Sequence, residues 1–518
     1  MKILFLSAEV GPFVSVGGLS QVMYFLPRAL LSLDHEVAIF TPKYGTMTEK
    51  APEGKPWKLT TEVPILNVPV ESHIKEGDKE AQYIQCAVKE YRGKMRDPVV
   101  HFLENQEYYE LRANVFGYAD DQIRFALLSR GCLEWLKMQT EPLPDIIHCN
   151  DWHTAYFIQL ARQDKRYKSL LAKIPILMSV HNFQYQGNIG FRYLSPAEKD
   201  DTSREIEPLF SEKLKYQNAL LRGILYADGV STVSPTHAVE VLTPEYGEGL
   251  EANLQNVRGK ITGILNGLDI REFNPSTEPI IKKQYSKKTV MPARNVNKRD
   301  LQKAFSLTEN ANMFVLFVTG RISRQKGWDL LIEVFPHVLR YARDLQIIVL
   351  GDGDEMYKNQ IQKLQSEFPD RVGLHLRTDF RLPRKLFAGG DVILMPSKFE
   401  PGGIAALEAL RYGAIPLVRR TGGLSDIVTD FDTDTGIGNG LSFVENEPWL
   451  LFGKIVEAIV LYKQKNMWKK LIQNAMDSDF SWVHAAREYE ELYEKLITEK
   501  KRATSMTPHP AYKSAAAS

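Results

Sequence analysis

Met395-Pro396-Ser397-Lys398-Phe399-Glu400-Pro401-Gly402-Gly403-Ile404-Ala405-Ala406-Leu407-Glu408 is the stretch whose reading decides the fold of this chain. It grows out of an apolar run, Val392 to Met395, that reads as a buried parallel strand and stops at Pro396. Gly402 and Gly403 then open a helix that carries Leu407, Leu410 and Tyr412. Between strand and helix, at the carboxyl edge where open α/β sheets bind ligands, sits one carboxylate, Glu400. A second, Glu408, lies eight residues on in a helix otherwise made of small and apolar residues. A Gly-rich turn and a helix N-terminus form an anion site with an acid beside it. The plainer alternative is a solvated loop acid and a helix-surface acid.

The same strand–loop–helix pattern recurs in both directions. Phe314 to Thr319 is a strand followed by Gly320-Arg321-Ile322-Ser323-Arg324-Gln325-Lys326-Gly327 and a helix from Asp329. Gln346 to Leu350 ends at Gly351-Asp352-Gly353-Asp354, and Ala414 to Val418 ends in Arg420-Thr421-Gly422-Gly423. Toward the N-terminus, Lys2 to Ala8, His35 to Phe40, Asp145 to His148, Ile174 to Val180 and Gly229 to Val233 read as strands, and Asp120 to Lys137 as an amphipathic helix. This alternation predicts an α/β protein with two doubly wound, Rossmann-like halves, loops on one edge of each, facing each other across a cleft. The first turn lacks the dinucleotide spacing G-x-G-x-x-G, and no Walker A pattern is present. Pro448 to Lys463 and Trp468 to Glu499 read as helical, and residues past Lys500 lack periodicity and read as a disordered tail.

Length and composition set the outer bounds. At 518 residues, 44% hydrophobic and 25% charged, the chain is too long for one core and too apolar for wholesale disorder. With 65 basic and 64 acidic residues the formal charge is +1, so no global field recruits nucleic acid or an anionic membrane. No apolar run has the length of a membrane span, and Glu9 interrupts Ile3-Leu4-Phe5-Leu6 too early for a signal peptide. Three scattered cysteines fit a reducing compartment. The expected location is cytoplasmic, or the plastid stroma for a chain of plant or algal origin.

Arg321 and Lys326, five residues apart in one βα loop, can grip adjacent phosphates, the arginine in bidentate fashion and the lysine as a point charge. Surface salt bridging is the competing reading for either alone. The N–H groups at Gly403 and Gly422 add donors. With no compact carboxylate cluster for two metals, the loops read as built to bind a diphosphate without an obligatory metal or other cofactor. His153, after Asp151 and Trp152 at a strand end, can donate to a sugar hydroxyl or a backbone carbonyl, or else bridge structure.

Many ordered stretches then carry a family resemblance. They include S-A-E-V-x-P-F at Ser7, V-G-G-L at Val16, Y-A-D-D-Q-I-R-F at Tyr118, N-D-W-H-T at Asn150 and H-N-F-Q-Y-Q-G at His181. L-N-G-L-D at Leu265, R-x-x-x-Q-K-G at Arg321, F-E-P-G-G at Phe399 and R-R-T-G-G-L at Arg419 continue the series. From Lys2 to about Leu496 the chain resembles the glycogen and bacterial or plastid starch synthases, which have the two-domain GT-B fold. The resemblance implies retaining transfer of glucose from ADP-glucose or UDP-glucose to the non-reducing end of an α-1,4-glucan. It implies domains at 1–260 (acceptor side) and 261–475 (nucleotide-sugar side), and a helix at 476–500 crossing back to the first domain before the tail at 501–518.

By the same resemblance Arg321 and Lys326 hold the diphosphate, Glu400 contacts the donor glucose, and His153 lies against the glucose. Asp120, Asn266, Gly17, Gly18, Gly403, Thr421 and Gly422 serve the nucleotide sugar, and Glu408 contacts the ribose. Two departures stand out. Ser15 replaces the family's lysine ahead of V-G-G-L, a loss of about 1.5–3 kcal/mol of charge-assisted bonding if nothing compensates. Gly402 stands where bacterial enzymes have cysteine. Ser15 motivates two other readings: a non-catalytic glycan-binding or regulatory homologue, and a related retaining transferase with another donor or acceptor.

Overall fold

The computed structural model describes residues 1–47, 54, 56–71, 81–140, 142–188, 195, 200–379 and 381–505. The chain divides into two compact units: Met1–Thr232, Val241–Ile264 and Ala485–Ser518 form unit 1, and Val233–Glu240 with Leu265–His484 form unit 2. Each unit is built on one sheet, with helices among the described elements of both.

The sheet of unit 1 has nine strands among the described residues: β1 (Lys2–Leu6), β2 (Glu36–Pro42), β3 (Leu59–Pro69), β4 (Tyr83–Tyr91), β5 (Val99–Glu104), β6 (Ile146–Asn150), β7 (Ile176–Val180), β8 (Gly229–Thr232) and β9 (Ile261–Gly263). Their order is β3-β4-β5-β2-β1-β6-β7-β8-β9. From β5 to β9 every pairing is parallel, whereas β3–β4 and β4–β5 are antiparallel. The strands that feed the βα loops are parallel, as expected, and the antiparallel edge lies in the stretch between β2 and the helix Asp121–Lys137. β3 leaves many of its residues exposed along its length, as a strand at the antiparallel edge can and a strand covered on both faces cannot.

Unit 2 has six parallel strands among the described residues: β10 (Phe314–Thr319), β11 (Leu345–Leu350), β12 (Val372–His375), β13 (Val392–Met395), β14 (Ile415–Arg419) and β15 (Leu441–Phe443). The order β12-β11-β10-β13-β14-β15 places the chain reversal between β10 and β13, so their following loops lie side by side. That is the switch point at which such sheets bind ligands. β11 and the apolar part of β10 are buried on both faces, as continuous apolar runs in a helix-covered parallel sheet must be. Beneath β13, the Lys298 ammonium donates to Asp391 Oδ2 (2.5 Å) and the Tyr462 hydroxyl (3.0 Å), both buried, and to the part-buried Met313 carbonyl (2.8 Å).

The strands expected from the apolar runs are found with ends displaced by a residue or two, whereas β9, β12 and β15 were not among them. The last helix runs Trp482–Ser505, and from Ala485 it belongs to unit 1. There Tyr493 Oη hydrogen-bonds to His148 Nδ1 (2.7 Å), and His148 Nε2 to Ser179 Oγ (2.5 Å), a chain buried throughout. Of the tail expected from 501, residues 501–505 end this helix and 506–518 lie outside the described residues. No helix among the described residues is long and apolar enough to cross a membrane.

Candidate active site

In unit 2 the loops after β10 and β13 are stitched together. Gln325 Nε2 donates to the Phe399 carbonyl (3.2 Å), and the Lys398 N–H donates to the Gln325 carbonyl (2.8 Å). A Cβ on Gly327, whose φ is 78°, would lie 2.1 Å from the Pro396 carbonyl oxygen, so the close approach requires glycine. The approach brings the Lys326 ammonium onto Glu400 Oε2, which also accepts from Ser397 Oγ at 3.2 Å. Glu400 is buried (9% exposed), so its carboxylate meets a fixed cation in a partly desolvated place. Arg321 is exposed, steadied by a 2.8 Å bond from its guanidinium to Gln325 Oε1. It borders a cavity of about 580 Å³ at the carboxyl ends of β10 and β11, with Gly320, Gly351, Asp352, Gly353 and Arg377 around it.

Three other predicted residues of unit 2 lie close by. Gly403, with φ 63°, caps the helix Ile404–Tyr412. Asn266 is buried, and its Nδ2 lies 3.4 Å from where a Cβ on Gly402 would sit. Glu408 is half-buried on that helix, and burial pushes its carboxyl up to about 7 against the pull of Arg384. Thr421 and Gly422 are engaged differently. The Gly422 N–H donates to both carboxylate oxygens of Glu240 (3.0 Å each), and Thr421 Oγ1 to Glu240 Oε1 (3.1 Å). In this structure both donors are bonded to that carboxylate.

In unit 1 His153 stands in the first turn of the helix Trp152–Gln163 rather than in a loop. Phe116, Phe125 and Trp152 surround its ring at 4.8, 4.5 and 4.3 Å between centroids. Burial, with Arg124 nearby, lowers it to about 3, so it is neutral at ordinary pH. Its Nδ1 is buried with no hydrogen-bond partner among the described residues. Asp120, just before the helix Asp121–Lys137, accepts from the Arg112 guanidinium at 2.6 Å. Gly17 and Gly18 are exposed at the start of the helix Gly18–Leu31.

One residue there was missed. Glu9, 4% exposed, accepts through Oε2 from the Val16 and Gly17 N–H groups (2.8 and 3.1 Å) and fixes the Gly-rich loop. Burial raises its carboxyl, and the nearby charge of Asp151 adds to this. Its signal was an acid at the end of a buried first strand, read only as the end of an apolar run. The Ser15 hydroxyl hydrogen-bonds to Ser20 Oγ (2.8 Å), five residues on in the helix Gly18–Leu31.

Among the described residues, Glu62, Glu90 and His101 are close enough together to share an ion. Their charges are already engaged: the Arg92 guanidinium bridges both Glu90 oxygens, and Glu62 accepts from Trp135 Nε1 (2.9 Å) and pairs with His101 (2.7 Å).

Comparison with known proteins agrees along nearly the whole length. Residues 2–256 match the family model of the starch synthase catalytic domain, and residues 300–476 that of glycosyl transferases group 1. A glycogen synthase of Clostridium perfringens is 36% identical over 500 residues, spanning 96% of this chain and 98% of its own. One from Bacillus subtilis is 35% identical over 499 residues, spanning 96% and 98%. Among solved structures, the catalytic domain of starch synthase IV from Arabidopsis thaliana, bound to ADP and acarbose, is similar at a TM-score of 0.79 and 31% identity, covering 96% of this chain and 99% of that one.

Proposed function

Since the chain belongs to the glycogen and starch synthase family of glycosyltransferases, with the GT-B pair of parallel-sheet domains, we propose that it lengthens an α-1,4-glucan at its non-reducing end. The donor is ADP-glucose or UDP-glucose, and the configuration at C1 is retained. The observation that carries this reading is the Lys326–Glu400 contact between the loops after β10 and β13, at the switch point of the unit 2 sheet, with Arg321 in the first of those loops.

The chemistry asks for a donor diphosphate held as a leaving group. Arg321 and Lys326 grip it, and their fixed charges stabilise the negative charge that grows as the C1–O bond breaks. Two cations serve this without an obligatory metal. When the diphosphate draws on the Lys326 ammonium, the Glu400 carboxylate is released to accept from hydroxyls of the donor glucose. The helix start at Gly403 and the Asn266 amide border the same loop. Glu408 takes the ribose, and a carboxyl near 7 can accept from a hydroxyl or donate to it at neutral pH. In unit 1, neutral His153 is assigned to a glucose hydroxyl, with Asp120 and the Gly17–Gly18 backbone to the nucleotide sugar. The chain of this reading contains no nucleic-acid or membrane partner.

Incubation with each donor and a labelled maltooligosaccharide, with and without EDTA, tests it. Stepwise elongation that resists EDTA is expected. No elongation with either donor contradicts the function, and EDTA-sensitive elongation contradicts the metal-free mechanism.

A further inference from the structure

Residues 233–240 belong to unit 2, although the chain on either side of them belongs to unit 1. Their short helix, Pro235–Glu240, is joined to the helix Gly422–Ile427 by reciprocal hydrogen bonds. Glu240 accepts from the Gly422 N–H and the Thr421 hydroxyl. In return, Asp426 accepts from the Thr236 N–H (2.9 Å) and the Thr236 hydroxyl (2.7 Å). Each helix thus supplies a carboxylate to the first turn of the other.

The joint leads directly to Glu400. A Cβ on Gly422 would lie 2.3 Å from the Glu400 carbonyl oxygen, so the two backbones are in contact there. The next N–H, of Gly423, donates to the carbonyls of Glu400 and Pro401 (3.0 Å each). On the other side, the His237 ring lies 5.8 Å from that of Phe399, the residue before Glu400. One turn of chain, Thr421 to Gly423, is therefore held by Glu240 at one end and holds the Glu400 main chain at the other.

We propose that Glu240 is a positioning residue for Glu400. By fixing the Thr421–Gly423 turn it sets where Gly423 holds the Glu400 carbonyl, and hence where the carboxylate meets the donor glucose. Its carboxylate also occupies the donors that would otherwise bind a phosphate, so this helix start is a structural joint and not part of the diphosphate site. The inference rests on the assignment of Glu400 to the donor glucose. Reacting groups misplaced by about 1 Å lose rate on the order of a hundredfold, so a loosened turn acts on kcat rather than on donor KM.

The test combines kinetics with hydrogen exchange on the full chain. Glu240→Ala is expected to lower kcat about tenfold or more, with donor KM within threefold of wild type. Glu240→Gln, which keeps one acceptor oxygen, falls between, and the amides of residues 421–423 exchange faster in Glu240→Ala than in wild type. Asp426→Ala, which loosens the joint from its other side, also lowers kcat. A Glu240→Ala enzyme with unchanged kcat overturns the proposal. So does one with tighter donor binding, which would show Glu240 competing with phosphate. If the wild-type chain transfers no glucose, the functional reading fails while exchange still decides the proposal: unchanged exchange at 421–423 overturns it.

Discussion

Lys298→Met removes the cation beneath β13 and leaves its partners almost where they were. The Lys298 and Asp391 side chains are only 2% and 5% exposed, so water cannot replace the lost ammonium. Asp391 keeps one bond, from the Val315 N–H at 2.8 Å, and the Met313 carbonyl and Tyr462 hydroxyl each lose a partner. Breaking a buried pair from one side costs about 3–5 kcal/mol, because an uncompensated charge stays behind. Removing both members, in Lys298→Met/Asp391→Leu, takes away that charge along with its counter-ion and is expected to recover most of the loss. The loss also has a route to activity, since Asp391 immediately precedes β13 and its main chain bonds to Val315 and Ile415 in the flanking strands. Urea unfolding followed by fluorescence and by hydrogen exchange within unit 2 measures the effect without assuming that both units unfold together. A single variant that loses less than about 1 kcal/mol, or a double variant that loses the sum of the two singles, refutes the argument.

Three further outcomes follow from contacts already described. Burial raises the Glu408 carboxyl from 4.5 to about 7, so its ionisation costs the folded state at most about 3–4 kcal/mol; the folded state binds the extra proton, so stability falls as pH rises through this window. Glu408→Gln should abolish that fall in a pH series of melting temperatures; a variant whose series parallels wild type shows the carboxyl to be unperturbed. Gly327→Ala places a Cβ 2.1 Å from the Pro396 carbonyl at a φ of 78° and should cost about 1–3 kcal/mol with a marked loss of transfer; full activity would mean that the two loops can separate. Tyr493→Phe deprives buried His148 of its Nδ1 partner and should cost about 1–3 kcal/mol, read as a lower unfolding midpoint, and an unchanged midpoint would show that this hydrogen bond does not help to hold the last helix.

The sequence exposed what depends on chain order. The run Val392 to Met395, the break at Pro396 and the glycines before Ile404 located β13, its loop and the helix beyond, because a buried strand and a helix start each have a local signature. Arg321, Lys326 and Glu400 were legible for the same reason, as charged residues in loops after parallel strands. What stayed hidden depends on contacts distant in sequence. Nothing near Glu240 indicates that it reaches Gly422, 182 residues away, so the carboxylate bonded at the T-G-G start was not legible. Glu9 was hidden because its role comes from burial against Val16 and Gly17. His153 was placed in a loop because the helix begins one residue before it, with Asp151 at a φ of 57° making the turn out of β6.

The central claim is that Glu400, set against Lys326 in the loop that also carries Arg321, belongs to the donor half of a glucosyl-transfer site. The measurement that tests it most directly is steady-state elongation of a maltooligosaccharide by wild type, Glu400→Ala and Lys326→Met over a range of donor concentrations. The account predicts that Glu400→Ala loses on the order of a hundredfold or more in kcat. It predicts that Lys326→Met loses about 1.5–3 kcal/mol of donor and transition-state binding in kcat/KM. Elongation that survives Glu400→Ala at the wild-type rate would contradict it.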